Sequence, residues 1–217
     1  MTSIDKAVLL STAYMPPIQY FTKCVLYKDI YIEGCENYTK QSFRNRCDIA
    51  TANGVLTLTI PVVHAEGQNK IPIKEVLIDN NKRWKAIHKK AIESAYRSSP
   101  FFIYYADDLF SLIDAPSDKL FDFNTSILKF LLEQLEIKPQ INITTDYKTI
   151  DRAFDDWSEG IHPKTSRQKE DTTYISKPYY QVFQQKYGFI ANLSIIDALF
   201  NLGPGTNEYL RSCVKTK

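Results

Sequence analysis

The stretch Glu36–Cys47, ENYTKQSFRNRC, gathers the side chains best suited to hold an anion. Lys40, Arg44, Asn45 and Arg46 follow closely on Tyr38. A guanidinium presents a planar fork of donors that fits phosphate or carboxylate, and an ammonium acts as a point charge. If Arg44 and Arg46 share a strand they share a face, with Asn45 on the other, whereas a loop can turn all three toward one ligand. The competing reading is a solvated basic edge, or salt bridges to nearby acids. Two further candidates flank a Met15-Pro16-Pro17 turn: the hydroxyls of Tyr14 and Tyr20 can hydrogen-bond a sugar or nucleotide and their rings can stack on it, or they are half-buried aromatics with a wet hydroxyl. His88 stands four residues after Trp84, so the two can line one helix face. It is the candidate general base, set against the role of a structural histidine. His64 and His162 fall in loops far apart in the chain, and no His-x-x-His or His-Glu spacing points to a metal. Asp107-Asp108 and Asp155-Asp156 are adjacent acids, which point in different directions on a helix and make no acid/base dyad. Ser11, Cys24, Cys35 and Cys47 lack a neighbouring base or a nucleophile elbow.

The elements that must position these residues alternate. Ala7–Thr12 is a compact apolar run that predicts a buried strand. A helix starts near Pro17 or Ile18 and carries Ile18, Phe21, Val25 and Leu26 at helical spacing. Ile30-Tyr31-Ile32 reads as a second strand. Strand, helix, strand predicts parallel pairing. Asn53-Gly54 predicts a hairpin between Asp48–Ala52 and Val55–Val63, and Glu75–Ile78 reads as a further short strand. Helices are expected at 82–98, 101–112, 120–135, 150–155, 179–185 and 194–200, with a strand at Ile141–Thr145 and a short polar tail. Trp157–Thr173 is charged and polar and reads as an exposed loop, in which Lys164–Asp171 can act as a lid. The expectation is an α/β protein of one domain over residues 1–217, with a mostly parallel N-terminal sheet to about residue 80 and a helical C-terminal half.

Composition narrows the function classes. Of 217 residues, 44% are hydrophobic, enough for a core, and only 7 are glycine, which argues against a Gly-rich phosphate cradle. Net charge is +2, with Lys and Arg interleaved among Asp and Glu, so nucleic acid is not an expected partner. No apolar run reaches the length of a signal peptide core or a membrane span, which makes the expected location cytoplasmic, without membrane insertion. The 4 cysteines show no C-x-x-C or zinc spacing and are expected to be free thiols. No cofactor is indicated.

Five segments in order resemble the WbqC-like family: LLSTAYMPPIQYF (9–21), ENYTKQSFRNRC (36–47), ANGVLTLTIPV (52–62), WKAIHKKAIESAYRSSPFF (84–102) and NLSIIDALFNLG (192–203). The resemblance covers nearly the whole chain. It implies a bacterial setting near surface-polysaccharide genes, and so a role in O-antigen or related lipopolysaccharide synthesis. An activity in keeping with that setting is acyl or aminoacyl transfer to a nucleotide-linked amino sugar. The implied partners are a sugar nucleotide or another phosphorylated small molecule, together with polysaccharide-pathway proteins. The alternative is a non-catalytic ligand-binding or assembly partner of such enzymes, and a third reading is a degenerate nucleotide binder. The strand, Pro-rich turn, helix, strand arrangement also resembles the HxGH nucleotidyltransferases. Pro17, Ile18, Gln19 and Tyr20 occupy the four motif positions, without either histidine or the glycine, so that resemblance implies a topology and not its chemistry. The expected binding residues are Tyr14, Tyr20, Tyr38, Lys40, Asn45 and Arg46, with His88 as base and no metal.

Overall fold

Val8, Leu9 and Leu10 have no polar alternation, as suits a strand covered on both faces. They form β1 (Ala7–Ser11), with all three at most 1% exposed. α1 (Ile18–Leu26) follows, then β2 (Asp29–Glu33), parallel to β1 with Val8 opposite Ile30 and Ser11 opposite Glu33. The computed structural model describes residues 6–63, 70–145 and 154–215. Two later strands complete the sheet. β5 (Gln140–Ile143) pairs with β2 and β6 (Phe154–Asp156) pairs with β1, giving the all-parallel order β5-β2-β1-β6. The expected α/β class and parallel βαβ unit are therefore present. The chain runs outward from β1 through β2 to β5 and then returns to β1's other side. The switch point lies between β1 and β6, where such sheets open a crevice at their carboxyl ends.

β3 (Arg46–Thr51) and β4 (Gly54–Thr59) form the expected hairpin, with Gly54 at φ +97° supplying the turn. The hairpin leans on α2 (Trp84–Tyr96), which packs against α3 (Phe102–Asp114); α4 (Leu120–Gln134) packs against α3. α6 (Ile195–Leu202) and α7 (Thr206–Ser212) close over α1. Gly203 ends α6 at φ +55°, and a Cβ there would lie 2.4 Å from the Phe101 ring, so both backbone and packing demand glycine.

Five expectations need correction. Glu75–Ile78 is no strand: Ile73–Glu75 is a 3-10 turn, and Leu77 and Ile78 make single bridges to Lys119 and Val62. Phe154 and Asp155 are strand rather than helix, because pairing with Ala7 and Val8 overrides local propensity; residues 150–153 of that expected helix lie outside the described residues, as does His64. Only one helical turn, α5 (Gln184–Tyr187), forms where Tyr179–Gln185 was expected. The polar tail contains α7, whose Leu210 is fully buried along with the Cys213 that follows the helix. Trp157–Thr173 is not a free loop. Trp157, Ile161 and His162 are buried, and Asp171 is tied to the fully buried Lys23 by an ion pair of 2.6 Å. The Lys23 ammonium also sits 3.9 Å from the centre of the Trp157 ring.

Candidate functional site

The carboxyl ends of β1, β2, β5 and β6 carry a cluster of buried polar side chains. Glu33 closes β2 and is 3% exposed. Its Oε1 accepts from the Cys35 backbone N–H at 2.6 Å and from the Thr144 hydroxyl at 2.8 Å, just beyond β5. Its Oε2 is buried and has no partner among the described residues. The loop between β2 and β3 brings in Arg44, 2% exposed, whose guanidinium forks onto Glu36 and donates to Glu159 beyond β6 at 2.7 Å. Burial works against Arg44's charge, but the hydrogen bonds and charge of Glu36, and then Glu159, outweigh it and raise its pKa. Glu36 is pushed above the usual carboxylate range by burial, against the pull of Arg44, and the neighbouring charges of Glu159 and Glu33 push the same way. Asn124 of α4 ties the loop down, with its amide donating to the Arg44 carbonyl at 2.7 Å and to Thr12 at 3.2 Å; its Oδ1 is buried and unpartnered.

His162 lies 1% exposed on the segment after β6. Its Nδ1 accepts from the Lys164 backbone N–H at 2.9 Å, so that nitrogen carries no proton. Burial, then the charge of Arg167, lowers its pKa; Arg44 adds to this while Glu159 opposes it. The ring is neutral at pH 7 with its proton on Nε2, a buried donor without a partner among the described residues. Buried polar atoms almost always find partners, and Glu33 Oε2, Asn124 Oδ1 and His162 Nε2, toward the sheet's carboxyl ends, have none among the described residues. A cavity of about 340 Å³ opens past Glu159, lined also by Asp156, Gly160, Arg167 and Lys169 but not by Glu33, Asn124 or His162.

The residues expected from sequence divide into two groups. Tyr14 and His88 meet in the core: the Tyr14 hydroxyl lies 2.9 Å from His88 Nδ1, and Phe123 and Trp84 pack around them. Tyr14 is 0% and His88 3% exposed, and the Thr59 backbone hydrogen-bonds the ring as well. Tyr20 is also buried, donating to the Ser11 carbonyl at 3.0 Å. The Met15-Pro16-Pro17 turn does face the 38–46 segment, through the Tyr14 N–H and the Phe43 carbonyl, but it is packed shut beneath Leu193–Ile195. Met15 sits there at φ 41°, an unusual conformation for a side chain with a Cβ. In the second group Tyr38, Lys40 and Arg46 stay nearer solvent, while Asn45 does not. Tyr38 feels the charges of Arg46 and Arg44, Lys40 is exposed, and Arg46 makes no ion pair among the described residues and leaves Nε unpartnered. Asn45 is buried, donating to the Ile60 carbonyl at 2.8 Å with Oδ1 unpartnered. Arg46, the first residue of β3, and the buried Asn45 just before it therefore do not present themselves together.

Sequence reading missed Glu33, Glu36, Asn124, Glu159 and His162. Glu33 had a usable signal, an acid ending an apolar strand at the sheet's carboxyl edge; His162 had none, because its burial depends on Trp157 and Asp171 docking onto α1. The cysteines are all unpaired. Among the described residues no group of His, Cys, Asp or Glu is arranged to hold a metal, and no helix is long and apolar enough to cross a membrane.

A family profile described as the WbqC-like protein family matches residues 12–179. The chain is also similar to an uncharacterised protein of Mycobacterium tuberculosis (strain ATCC 25618 / H37Rv), Rv1507c, at 26% identity, over 97% of this chain and 99% of that one. No solved structure matches the chain significantly.

Proposed function

The chain belongs to the WbqC-like protein family, and on that premise we propose that it acts in bacterial surface-polysaccharide (O-antigen) synthesis, transferring an acyl or aminoacyl group to a nucleotide-linked amino sugar. The observation that carries this reading is the set of unpartnered buried atoms toward the sheet's carboxyl ends, acceptors on Glu33 and Asn124 and a donor on His162. A sugar's hydroxyls and amine satisfy both kinds at once. Phosphates of the nucleotide fall to Arg46 and Lys40, with Tyr38 beside Arg46. In the reaction the amine nitrogen attacks the carbonyl carbon of an activated acyl donor, a thioester or ester. An amide bond forms, the donor's C–S or C–O bond breaks, and the amine's proton passes to Glu33 while the leaving group is protonated from solvent. We place the proton acceptor at Glu33 rather than His88, which is buried and hydrogen-bonded to Tyr14 and the Thr59 backbone.

The test is incubation with nucleotide-linked amino sugars and a panel of acyl and aminoacyl donors, followed by mass spectrometry. The expected product gains the acyl mass, and Arg46→Ala raises KM for the sugar nucleotide about tenfold or more, as loss of a charge-assisted hydrogen bond implies. No turnover and no thermal shift with any pair overturns the reading.

The alternative, a non-catalytic binding or assembly partner of polysaccharide enzymes, is favoured by one surface. Ile87, 61% exposed on α2, lines with Phe102 and Phe110 of α3 a groove of about 720 Å³, and Ile103 and Tyr104 are 73% and 67% exposed on α3. Full complementation of a deletion strain by a folded Glu33→Gln, Arg46→Ala chain supports this alternative, and loss of complementation supports the transfer reaction.

A further inference from the structure

The first turn of α2 carries donors that nothing in the fold takes up. Arg83 stands at the N-cap position without a side-chain cap, and no acidic residue occupies the turn. The first backbone bond of the helix runs from the Ile87 N–H to the Arg83 carbonyl at 3.1 Å, which leaves the N–H groups of Trp84, Lys85 and Ala86 without a partner among the described residues. Such groups, with the helix dipole behind them, favour an anion. These three residues line one cleft of about 510 Å³, which Lys82, Arg83, Lys89, Asp114 and Asp118 also line. Four cations therefore share the cleft with two carboxylates. Lys89 is paired with Asp114, and Lys85 donates to the carbonyls of Asp114 and Ala115 at 3.3 and 2.8 Å. Asp118 accepts from the Asn80 amide at 3.4 Å. Lys82 and Arg83 have no side-chain partner among the described residues. Of the charges farther out, Asp79 accepts from the Asn81 N–H, while Glu93 and Asp107 with Lys90, and Asp122 with Lys119, line the flanking clefts and not this one. A second observation is independent of the helix end. Trp84 lines the same cleft, is 3% exposed, and has a buried Nε1–H with no acceptor. Buried donors almost always find an acceptor, and an anion's oxygen is of the kind that this one lacks.

We propose that this cleft binds the phosphate group of a small phosphorylated ligand. The phosphate oxygens accept from the first-turn N–H groups, from Lys82 and Arg83, and from the Trp84 indole. The cleft has the volume of a small-molecule pocket rather than of a bare ion, and Trp84, Ala86 and Pro116 give the rest of the ligand an apolar wall. None of these residues belongs to the acyl-transfer site, so a failure here leaves that reading untouched.

Calorimetry on the full chain tests this with uridine monophosphate against uridine, and with inorganic phosphate as competitor. The nucleotide is expected to bind about tenfold or more tightly than the nucleoside, and inorganic phosphate to compete with it. Lys82→Met with Arg83→Met is expected to erase the preference; both side chains are exposed, so the fold is kept. In an Arg46→Ala chain, which lacks the phosphate contact assigned to the transfer reaction, the preference is expected to persist. The Trp84 indole N–H resonance is expected to move on titration with the nucleotide, and by more than that of Trp157, whose Nε1 already donates to Asp155 at 2.8 Å. A preference that survives the double variant, or that vanishes with Arg46→Ala, puts the phosphate elsewhere and overturns the assignment. So does binding that leaves the Trp84 signal in place, and so does equal affinity for nucleotide and nucleoside or no binding of either.

Discussion

An Arg44→Met chain is expected to lose about 3–5 kcal/mol of stability at pH 7, measured by urea unfolding. Arg44 is 2% exposed and bidentate on Glu36, whose side chain is itself only 10% exposed. Removing the guanidinium strands a carboxylate in the interior, the costliest way to break a buried pair. Glu159 loses the same partner at little cost, because water reaches it. Burial already pushes Glu36 up, and without Arg44 it rises further. A carboxyl whose folded pKa exceeds its unfolded one is relieved by protonation, so the deficit is full at neutral pH and shrinks as pH falls toward 5. The double variant Arg44→Met, Glu36→Leu is expected to recover most of the loss, since it buries no unpaired charge. A single variant as stable as wild type would show that the pair contributes nothing to the fold.

The second large effect is a loss of stability in acid. Burial pulls His88 from the ordinary 6.5 down to about 4, only partly opposed by the Thr59 backbone hydrogen bond. The folded state thus holds fewer protons than the unfolded chain between those pH values, and stability rises with pH across that window. His88's share is complete above pH 6.5 and is lost as pH falls through about 4. A displacement of that size is worth about 3 kcal/mol, at roughly 1.4 kcal/mol per pH unit. His162 is shifted the same way and adds to the slope. Replacing both partners, Tyr14→Phe with His88→Phe, leaves only the Thr59 backbone group without its partner and is expected to remove most of the dependence between pH 7 and 4. A double variant with the wild-type slope would assign the acid sensitivity elsewhere.

Much of the fold was legible because it is local. Val8–Leu10, the Pro17 helix start, Ile30–Ile32 and the Asn53-Gly54 turn each declare their element through nearest neighbours, and the parallel βαβ unit follows. What failed to read out is non-local. β6 exists only because Phe154–Asp156 lies along β1, and its Asp155 is satisfied by Tyr27 and Trp157. The site divides the same way. The polar 36–47 segment announced itself, and Arg44 does lie at its centre. Its partners Glu36 and Glu159 lie 8 and 115 residues away in the chain, so whether Arg44 faces a ligand or a carboxylate could not be read from spacing. Tyr14 and Tyr20 flank the expected turn but point inward, because Leu193–Ile195 covers it.

The central claim is that Glu33 Oε2 and His162 Nε2 take their partners from a ligand at the carboxyl ends of β1, β2 and β6. A crystal structure of the chain soaked with an amino sugar, alone and nucleotide-linked, tests it most directly. The account predicts the amine within hydrogen-bond distance of Glu33 Oε2 and a hydroxyl oxygen on His162 Nε2, with Arg44 still forked on Glu36. A sugar seated elsewhere, while Glu33 and His162 keep the surroundings they have without it, would contradict the account.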